Sequence, residues 1–187
     1  MTIKLGLELA HSVVYVQDMT AMVSFYERVL GFEVADRGPI GPPEGPEIVF
    51  MSQHASHHHQ IAFLSIRKET GRSNSHDHLA FKSSATLAEL RELLDELEAE
   101  EGVTNIRQTS HGNAWSIYFA DPEGNGVEVF LDTPFHVPQP QGKEFDLRSS
   151  DEDILQWTID SYSDEPDFGP MAEYHDRRGA ELAERQS

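Results

Sequence analysis

Cysteine is absent from this chain of 187 residues. Its absence excludes disulfide bridges, thiolate zinc sites and cysteine nucleophiles, and it fits an intracellular protein. The length is sufficient for one compact domain with a hydrophobic core that needs neither disulfides nor a structural metal. The chemistry of this protein must therefore rest on other side chains.

Basic residues are scarce, and so are long apolar segments. Fourteen Lys and Arg residues stand against 33 Asp and Glu residues, which gives a net charge of −19. Such a charge opposes binding to phosphate backbones and anionic lipid surfaces, so we expect neither a nucleic acid nor a membrane as partner. No segment approaches the roughly 20 apolar residues that span a bilayer, and residues 1–6 do not resemble a signal peptide. We expect a cytoplasmic protein.

The pattern of apolar residues, glycines and prolines predicts one unit of structure that occurs twice. The first unit has the order βαβββ, with a strand over 11–16, a helix over about 20–30 and strands over 32–35, 48–51 and 60–66. The second unit repeats the order, with a strand over 78–82, a helix capped by Ser84 or Thr86, and strands near 104–109, 115–120 and 126–131. This duplication predicts an α+β fold.

The character of the chain changes after residue 132. Prolines at 134, 138 and 140 indicate an extended connector that cannot join a central strand. A short helix over 151–161, capped by Ser149 or Ser150, is expected to pack back on the domain. After Tyr162 the composition predicts partial order at best, unless a neighbouring subunit holds the segment. The predicted organisation is a domain over 1–133, with modules over 7–67 and 76–132, followed by an extension over 134–187.

Glu128 occupies an unusual place in the second unit. Residues 121–126 form a turn cluster between two apolar strands, and Glu128 is flanked in the second strand by Val127 and Val129. An ionised carboxylate in so apolar a strand needs a partner, because burying an unpaired charge is very costly. A metal or another cation is the expected companion.

The segment around this hairpin resembles the signature of the extradiol ring-cleavage dioxygenases. These enzymes belong to the vicinal oxygen chelate superfamily, together with glyoxalase I and the bleomycin-resistance proteins. The resemblance implies paired βαβββ modules that form a curved mixed sheet around a metal site, here in a single domain with a C-terminal extension. The residues at matching spacings are His111, Ile117, Tyr118, Asp121, Pro122, Gly124 and Glu128.

The resemblance also implies a set of metal ligands, namely His11, His78 and Glu128. Two histidines and one carboxylate commonly hold ferrous iron for dioxygen chemistry, and Mn(II) accepts the same ligands. Within the triplet 76–78 we favour His78, because it directly precedes Leu79-Ala80-Phe81 as the family pattern requires. His76 is then a surface residue, and Asp77 is expected to point away from His78 and stay solvated.

Three further residues correspond to the family's catalytic positions. His59 would be a general acid–base, for which the ordinary pKa of imidazole, near neutrality, is suited. His111 would donate a hydrogen bond to bound oxygen or substrate, and Tyr118 would contact a substrate hydroxyl. For His57 and His58 two interpretations stay open: solvated loop residues, or a hydrogen-bonded neighbour that orients His59.

The function that the resemblance implies is the Fe(II)-dependent extradiol cleavage of a catechol, such as 2,3-dihydroxybiphenyl, with O2. We expect the protein to be a homo-oligomer. One alternative is a glyoxalase-like isomerase or lyase, which usually takes an acidic fourth ligand from the last strand of the first unit. Residues 60–65 contain no acid, which argues against it. Another alternative is a non-catalytic binding protein of the bleomycin-resistance kind, which does not need His11, His78 and Glu128 together.

Overall fold

The computed structural model describes residues 8–186, which form two compact units. Unit 1 ends at Gly71 and unit 2 begins at Arg72. The predicted start of the first module at residue 7, and the N-terminal residues from which we expect no targeting segment, lie outside the described residues.

Unit 1 has the predicted βαβββ order. Its four strands form one sheet in the order β1-β4-β3-β2. The first strand pairs in parallel with the fourth, and the other pairs are antiparallel, so the sheet is mixed. The elements are β1 (Ser12–Tyr15), α1 (Met19–Arg28), β2 (Glu33–Pro39), β3 (Glu47–Ser52) and β4 (Ile61–Leu64).

The helix of unit 1 supplies five of that unit's buried hydrophobic residues. It begins after Asp18, whose carboxylate accepts a hydrogen bond from the Ala21 N–H at 2.9 Å. Met22, Phe25 and Tyr26 are buried on one helix face, and the Tyr26 ring packs edge-on against Phe63 of β4 at 4.8 Å between centroids. The apolar periodicity of this helix therefore determines which face of the helix packs on the sheet.

Unit 2 repeats the same order and confirms the α+β prediction. Its sheet has the order β10-β6-β7-β8-β5, where β10 (Lys143–Glu144) comes from the C-terminal extension, and β5 pairs in parallel with β8 just as β1 pairs with β4. The repeated elements are β5 (Leu79–Lys82), α2 (Leu87–Ala99), β6 (Thr104–Ser110), β7 (Ala114–Ala120) and β8 (Gly126–Asp132).

The start of α2 is set by Thr86 and not by Ser84. The Thr86 side chain accepts from the Glu89 N–H, and the Glu89 carboxylate accepts from the Thr86 N–H, which is a complete capping box. Every third or fourth residue then faces inward. The buried residues of the helix are Leu87, Leu90, Leu94 and Leu97.

Within unit 2, the C-terminal extension packs on the second module through a helix that matches the prediction for residues 151–161. This helix has Ser150 as its N-cap, and Trp115 of β7 donates from Nε1 to Thr158 Oγ1 at 2.9 Å. Tyr162 donates from its hydroxyl to the Ser110 carbonyl at 2.7 Å. The elements of the extension are β9 (Phe135–His136), β10 (Lys143–Glu144), α3 (Asp151–Tyr162), β11 (Gly169–Pro170) and α4 (Met171–Gln186).

The segment after Tyr162 is more ordered than its composition predicts, because it contains α4. Ala, Glu, Arg and Leu are frequent there, and these residues favour helix even where little surface is buried. The ring of Tyr174 also stacks on His136 of β9, with 3.7 Å between centroids. No helix within residues 8–186 is long and apolar enough to cross a bilayer.

Gly126 of β8 packs against the backbone of the two residues before β5, and its replacement provides a test of this packing. An added Cβ would lie 2.1 Å from the Asp77 carbonyl oxygen and 3.2 Å from His78 Cα. We expect Gly126→Ala to lower the free energy of unfolding of unit 2 by about 1–3 kcal/mol, since backbone must move to make room. Denaturant titration followed by tryptophan fluorescence measures this, because both tryptophans, Trp115 and Trp157, lie in unit 2.

Gly169→Ala is the matched control, since an added Cβ there meets no atom within 4 Å. Equal stability of the two variants would contradict the close approach of β5 to β8.

Candidate functional site

The parallel pairing of β5 with β8 brings a histidine to a buried carboxylate. Leu79 is opposite Val127, so His78 directly precedes the paired segment. His78 Nε2 lies 3.1 Å from Glu128 Oε2, and the Glu128 side chain is only 9% exposed. The predicted ligands of the second module are therefore in contact, whereas His76 is exposed and donates from its backbone N–H to the Ser73 hydroxyl.

Asp77 has a different orientation from the one predicted. Strand alternation predicts that it points away from His78, but its carboxylate accepts a hydrogen bond from His78 Nδ1 at 2.9 Å. The strict alternation of faces does not hold here, because Asp77 precedes the first residue of β5. Asp77 also pairs with Arg72. A carboxylate on the far nitrogen fixes the orientation of an imidazole and raises its basicity, as is common behind metal-binding histidines.

Tyr118 faces Glu128 across the antiparallel pair of β7 and β8. Burial raises the pKa of Tyr118 well above its usual range, and the hydrogen bond to Glu128 and the charge of that carboxylate raise it further. The nearby Arg107 guanidinium opposes this rise. The phenol is therefore protonated over the physiological range and serves as a hydrogen-bond donor. Its ring stands edge-on to His78, with 5.2 Å between centroids.

His111 continues this polar chain. Its Nε2 lies 2.8 Å from the Tyr118 hydroxyl and 3.9 Å from Glu128 Oε1, while Nδ1 lies 2.5 Å from the Gln141 carbonyl. A carbonyl only accepts, so Nδ1 carries a proton. When Nε2 is also protonated it donates to Tyr118, which in turn donates to Glu128. His111, Tyr118 and Glu128 can therefore hold and pass a proton, while the Gln141 carbonyl fixes the His111 ring.

Asp121 and Gly124 of the matching segment build the turn that sets the β7–β8 register. Asp121 is buried, and its carboxylate accepts from the backbone N–H groups of Glu123 and Asn125 and from the Asn125 side chain. Burial raises the pKa of Asp121, and these hydrogen bonds oppose the rise. Gly124 adopts φ 83°, a conformation that disfavours other residues. These two positions hold Tyr118 opposite Glu128.

Unit 1 brings together the two histidines predicted there. The rings of His11 and His59 lie 4.3 Å apart between centroids. His58 contacts His59 through their Nδ1 atoms at 2.9 Å and reaches Asp36 through Nε2 at 3.1 Å. These contacts favour the second interpretation given for His58, that of a hydrogen-bonded neighbour that orients His59. Burial lowers the pKa of His59, with smaller contributions from His11 and His58, so its ring is a neutral base near pH 7.

The two modules differ at the position of the carboxylate. In unit 1 the parallel pair places Ser12 opposite Ile61 and Val13 opposite Ala62, so Ala62 is the counterpart of Glu128. Phe50 stands opposite Ala62, as Tyr118 stands opposite Glu128. The first module therefore offers histidines but no acid at this place.

The donor atoms suit a divalent transition metal, although they are divided between the units. Within residues 8–186 no group of three or more His, Asp and Glu side chains is gathered in a metal-binding arrangement. His78 and Glu128 provide imidazole nitrogen and carboxylate oxygen in mutual contact in unit 2, and His11 stacks on His59 in unit 1. Nitrogen with carboxylate oxygen is a donor set that Fe(II) and Mn(II) accept.

Two residues of this region could not be recognised from the sequence. Gln141 orients His111 through a backbone carbonyl, which its side-chain identity does not reveal. Arg107 of β6 places its guanidinium carbon 4.3 Å from the centroid of the Tyr118 ring. Its position depends on an irregularity in the β6–β7 register that apolar alternation does not show.

The chain is similar to known proteins in sequence and in fold. The chain is 28% identical over 168 residues to biphenyl-2,3-diol 1,2-dioxygenase 3 of Rhodococcus globerulus, covering 88% of this chain and 78% of that protein. Two similar structures are the fosfomycin resistance protein FosX of Listeria monocytogenes, complexed with Mn(II) and sulfate, and the trypanothione-dependent glyoxalase I of Leishmania major. The TM-scores are 0.52 and 0.53 and the identities 18% and 16%. The matches cover 70% and 67% of this chain and 95% and 86% of the other chains.

These structural similarities establish the fold, and a family profile identifies the superfamily. The profile described as the glyoxalase/bleomycin resistance protein/dioxygenase superfamily matches residues 8–129, which include the βαβββ elements of unit 1 and those of unit 2 except the last three residues of β8. The chain belongs to the glyoxalase/bleomycin resistance protein/dioxygenase superfamily.

Proposed function

We propose that this protein is an Fe(II)-dependent extradiol dioxygenase that opens the ring of a catechol, such as 2,3-dihydroxybiphenyl, with O2. The observation that carries the proposal is the contact of His78 with the buried Glu128, next to the Tyr118–His111 pair. The similarity to a relative named as a biphenyl-2,3-diol dioxygenase supports it.

His11, His78 and Glu128 would hold the metal. His11 is assigned by its place in the repeat, because it precedes β1 as His78 precedes β5. Two histidines and one carboxylate are a ligand set for ferrous iron, which would bind the catechol and pass electrons from it to O2. Mn(II) accepts the same ligands, and metal analysis distinguishes the two.

The other polar residues would handle protons and orient the substrate. His59, whose depressed pKa keeps it neutral, would take a proton from the substrate and return it to the product. Tyr118 would contact a hydroxyl of the catechol, and His111 would donate a hydrogen bond to bound oxygen or substrate. Asp36 and His58 would keep the His59 ring in one orientation.

A glyoxalase-like reaction is less well supported by this arrangement. That reaction usually uses an acidic ligand from the last strand of the first module, where this chain has the buried Ala62. A non-catalytic binding protein would not need a buried carboxylate that strand pairing brings into contact with a histidine, as Glu128 is with His78. Both alternatives predict no O2 consumption.

The first test of the proposal is metal content. We expect the purified protein to bind one Fe(II) per chain, and His11→Ala, His78→Ala and Glu128→Ala each to weaken binding by more than the roughly 10- to 100-fold that loss of an outer partner costs. Metal analysis after equilibrium dialysis measures this.

His76→Ala is the matched control, since His76 is two residues from His78 but exposed. Full metal occupancy in all three ligand variants would refute the ligand assignment.

The second test separates proton transfer from metal binding. We expect His59→Gln to retain iron but to slow turnover by about 10²- to 10⁴-fold, the usual contribution of a positioned acid–base group. Steady-state kinetics with parallel iron analysis measures both. His57→Gln is the control in the same loop, and an equal loss of rate in that variant would contradict the role of His59.

The third test is the reaction itself. Supplied anaerobically with Fe(II) and then with O2 and 2,3-dihydroxybiphenyl, the protein should consume one O2 per catechol and give a yellow product opened beside the two hydroxyls. An oxygen electrode and product absorbance follow both, and Glu128→Ala should abolish them. A colourless product opened between the hydroxyls would contradict the extradiol mechanism, and methylglyoxal–glutathione isomerisation without O2 uptake would favour the glyoxalase alternative.

A further inference from the structure

Arg107 reaches the Tyr118 ring because β6 contains a β-bulge. Thr104 is opposite Ala120 and Arg107 is opposite Tyr118, so β6 has one more residue than β7 over this interval. Within the bulge, Asn105 adopts φ 56°, which is uncommon for a residue other than glycine. A regular ladder would put Ile106 opposite Tyr118, so the bulge exchanges an apolar side chain for a guanidinium at this position.

Arg107 differs from five other arginines of this protein in lacking an acidic partner within residues 8–186. It is exposed, its guanidinium lies over the Tyr118 ring, and it forms no ion pair with any carboxylate in the described part of the chain. This is unusual in a protein with 33 acidic residues and a net charge of −19. The arginines that do pair with a carboxylate include Arg37, Arg72, Arg91, Arg148 and Arg178.

The guanidinium lines a cleft of about 460 Å³ in unit 2, together with His78 and Tyr118. That volume lies within the range of small-molecule sites. The other charged groups of the lining, Arg72 and Asp77, neutralise each other. Arg107 therefore gives this cleft a positive charge within a strongly acidic protein, which would otherwise repel anionic ligands.

We propose that Arg107 binds a carboxylate on the side chain of the aromatic substrate, so that the preferred substrates are catechols with an anionic substituent. The planar fork of a single guanidinium matches the two oxygens of a carboxylate. Tyr118 lies beside both Arg107 and His78, so a ring that contacts Tyr118 would present its substituent to Arg107. This inference rests on the proposed function, whose substrate class it narrows.

The test compares two catechols that differ only in charge, 3-(2,3-dihydroxyphenyl)propionate and its amide. We expect the wild-type protein to favour the acid by about 10- to 100-fold in kcat/KM, as a charge-assisted pair would give. Arg107→Gln should bring the acid-to-amide ratio close to one, mainly through a higher KM for the acid, since the contact is made equally in ground and transition states. Arg107→Lys should retain part of the preference.

Arg178→Gln is the matched control, because it removes the same charge from the exposed Arg178–Glu181 pair on α4. It should keep the wild-type ratio. Equal cleavage of acid and amide by the wild-type protein, or the same fall of the ratio in both variants, would overturn the assignment of Arg107.

A binding measurement distinguishes failure of this inference from failure of the proposed function. In ¹⁹F NMR, the metal-free protein should broaden the resonance of 4-fluorobenzoate more than that of 4-fluorobenzamide, and Arg107→Gln should abolish the difference. If neither catechol is cleaved, the proposed function fails while this measurement still decides whether Arg107 binds a carboxylate. Equal broadening of the two probes by the wild-type protein would overturn the inference.

Discussion

Glu128 carries a carboxylate in the middle of a strand whose neighbours Val127 and Val129 are buried, and the rest of the site in unit 2 depends on it. An anion removed from water must be compensated by hydrogen-bond donors or by a cation. Its surrounding groups, His78 and Tyr118, come from the strands on either side of β8. A shift of one residue in the pairing of β8 with β5 or with β7 would put a valine where Glu128 now lies. The sheet register and the site are therefore fixed together.

The two modules share a framework and differ in the residues placed on it. Both close with a parallel pair between the first and last strands, and both contain a bulge in the second strand. Duplication has therefore kept the backbone geometry while the facing side chains have become different. The three facing residues are Asp36, Phe50 and Ala62 in unit 1, and Arg107, Tyr118 and Glu128 in unit 2.

The strand and helix order could be predicted from the sequence because apolar periodicity and glycine stops are local signals. The choice between Ser84 and Thr86 as cap was not decided by residue type, since both side chains can cap and only geometry selects one. The orientation of Asp77 differs from the prediction because side chains alternate between the two faces only within a strand, and Asp77 lies before β5. Arg107 could not be found, because one extra residue in β6 changes which side chain faces Tyr118 and leaves no mark in the apolar pattern.

The parallel pair between β5 and β8 also has a consequence for how the protein folds. Tyr118 and Glu128 belong to one hairpin, which closes a short loop, whereas His78 meets Glu128 only after α2 and two strands have been ordered between them. Contacts between distant segments carry a larger loop-closure entropy and form more slowly. We therefore expect the imidazole to join the carboxylate late in folding. An ion that binds both would then act on the last step of assembly and shift its equilibrium towards the native state.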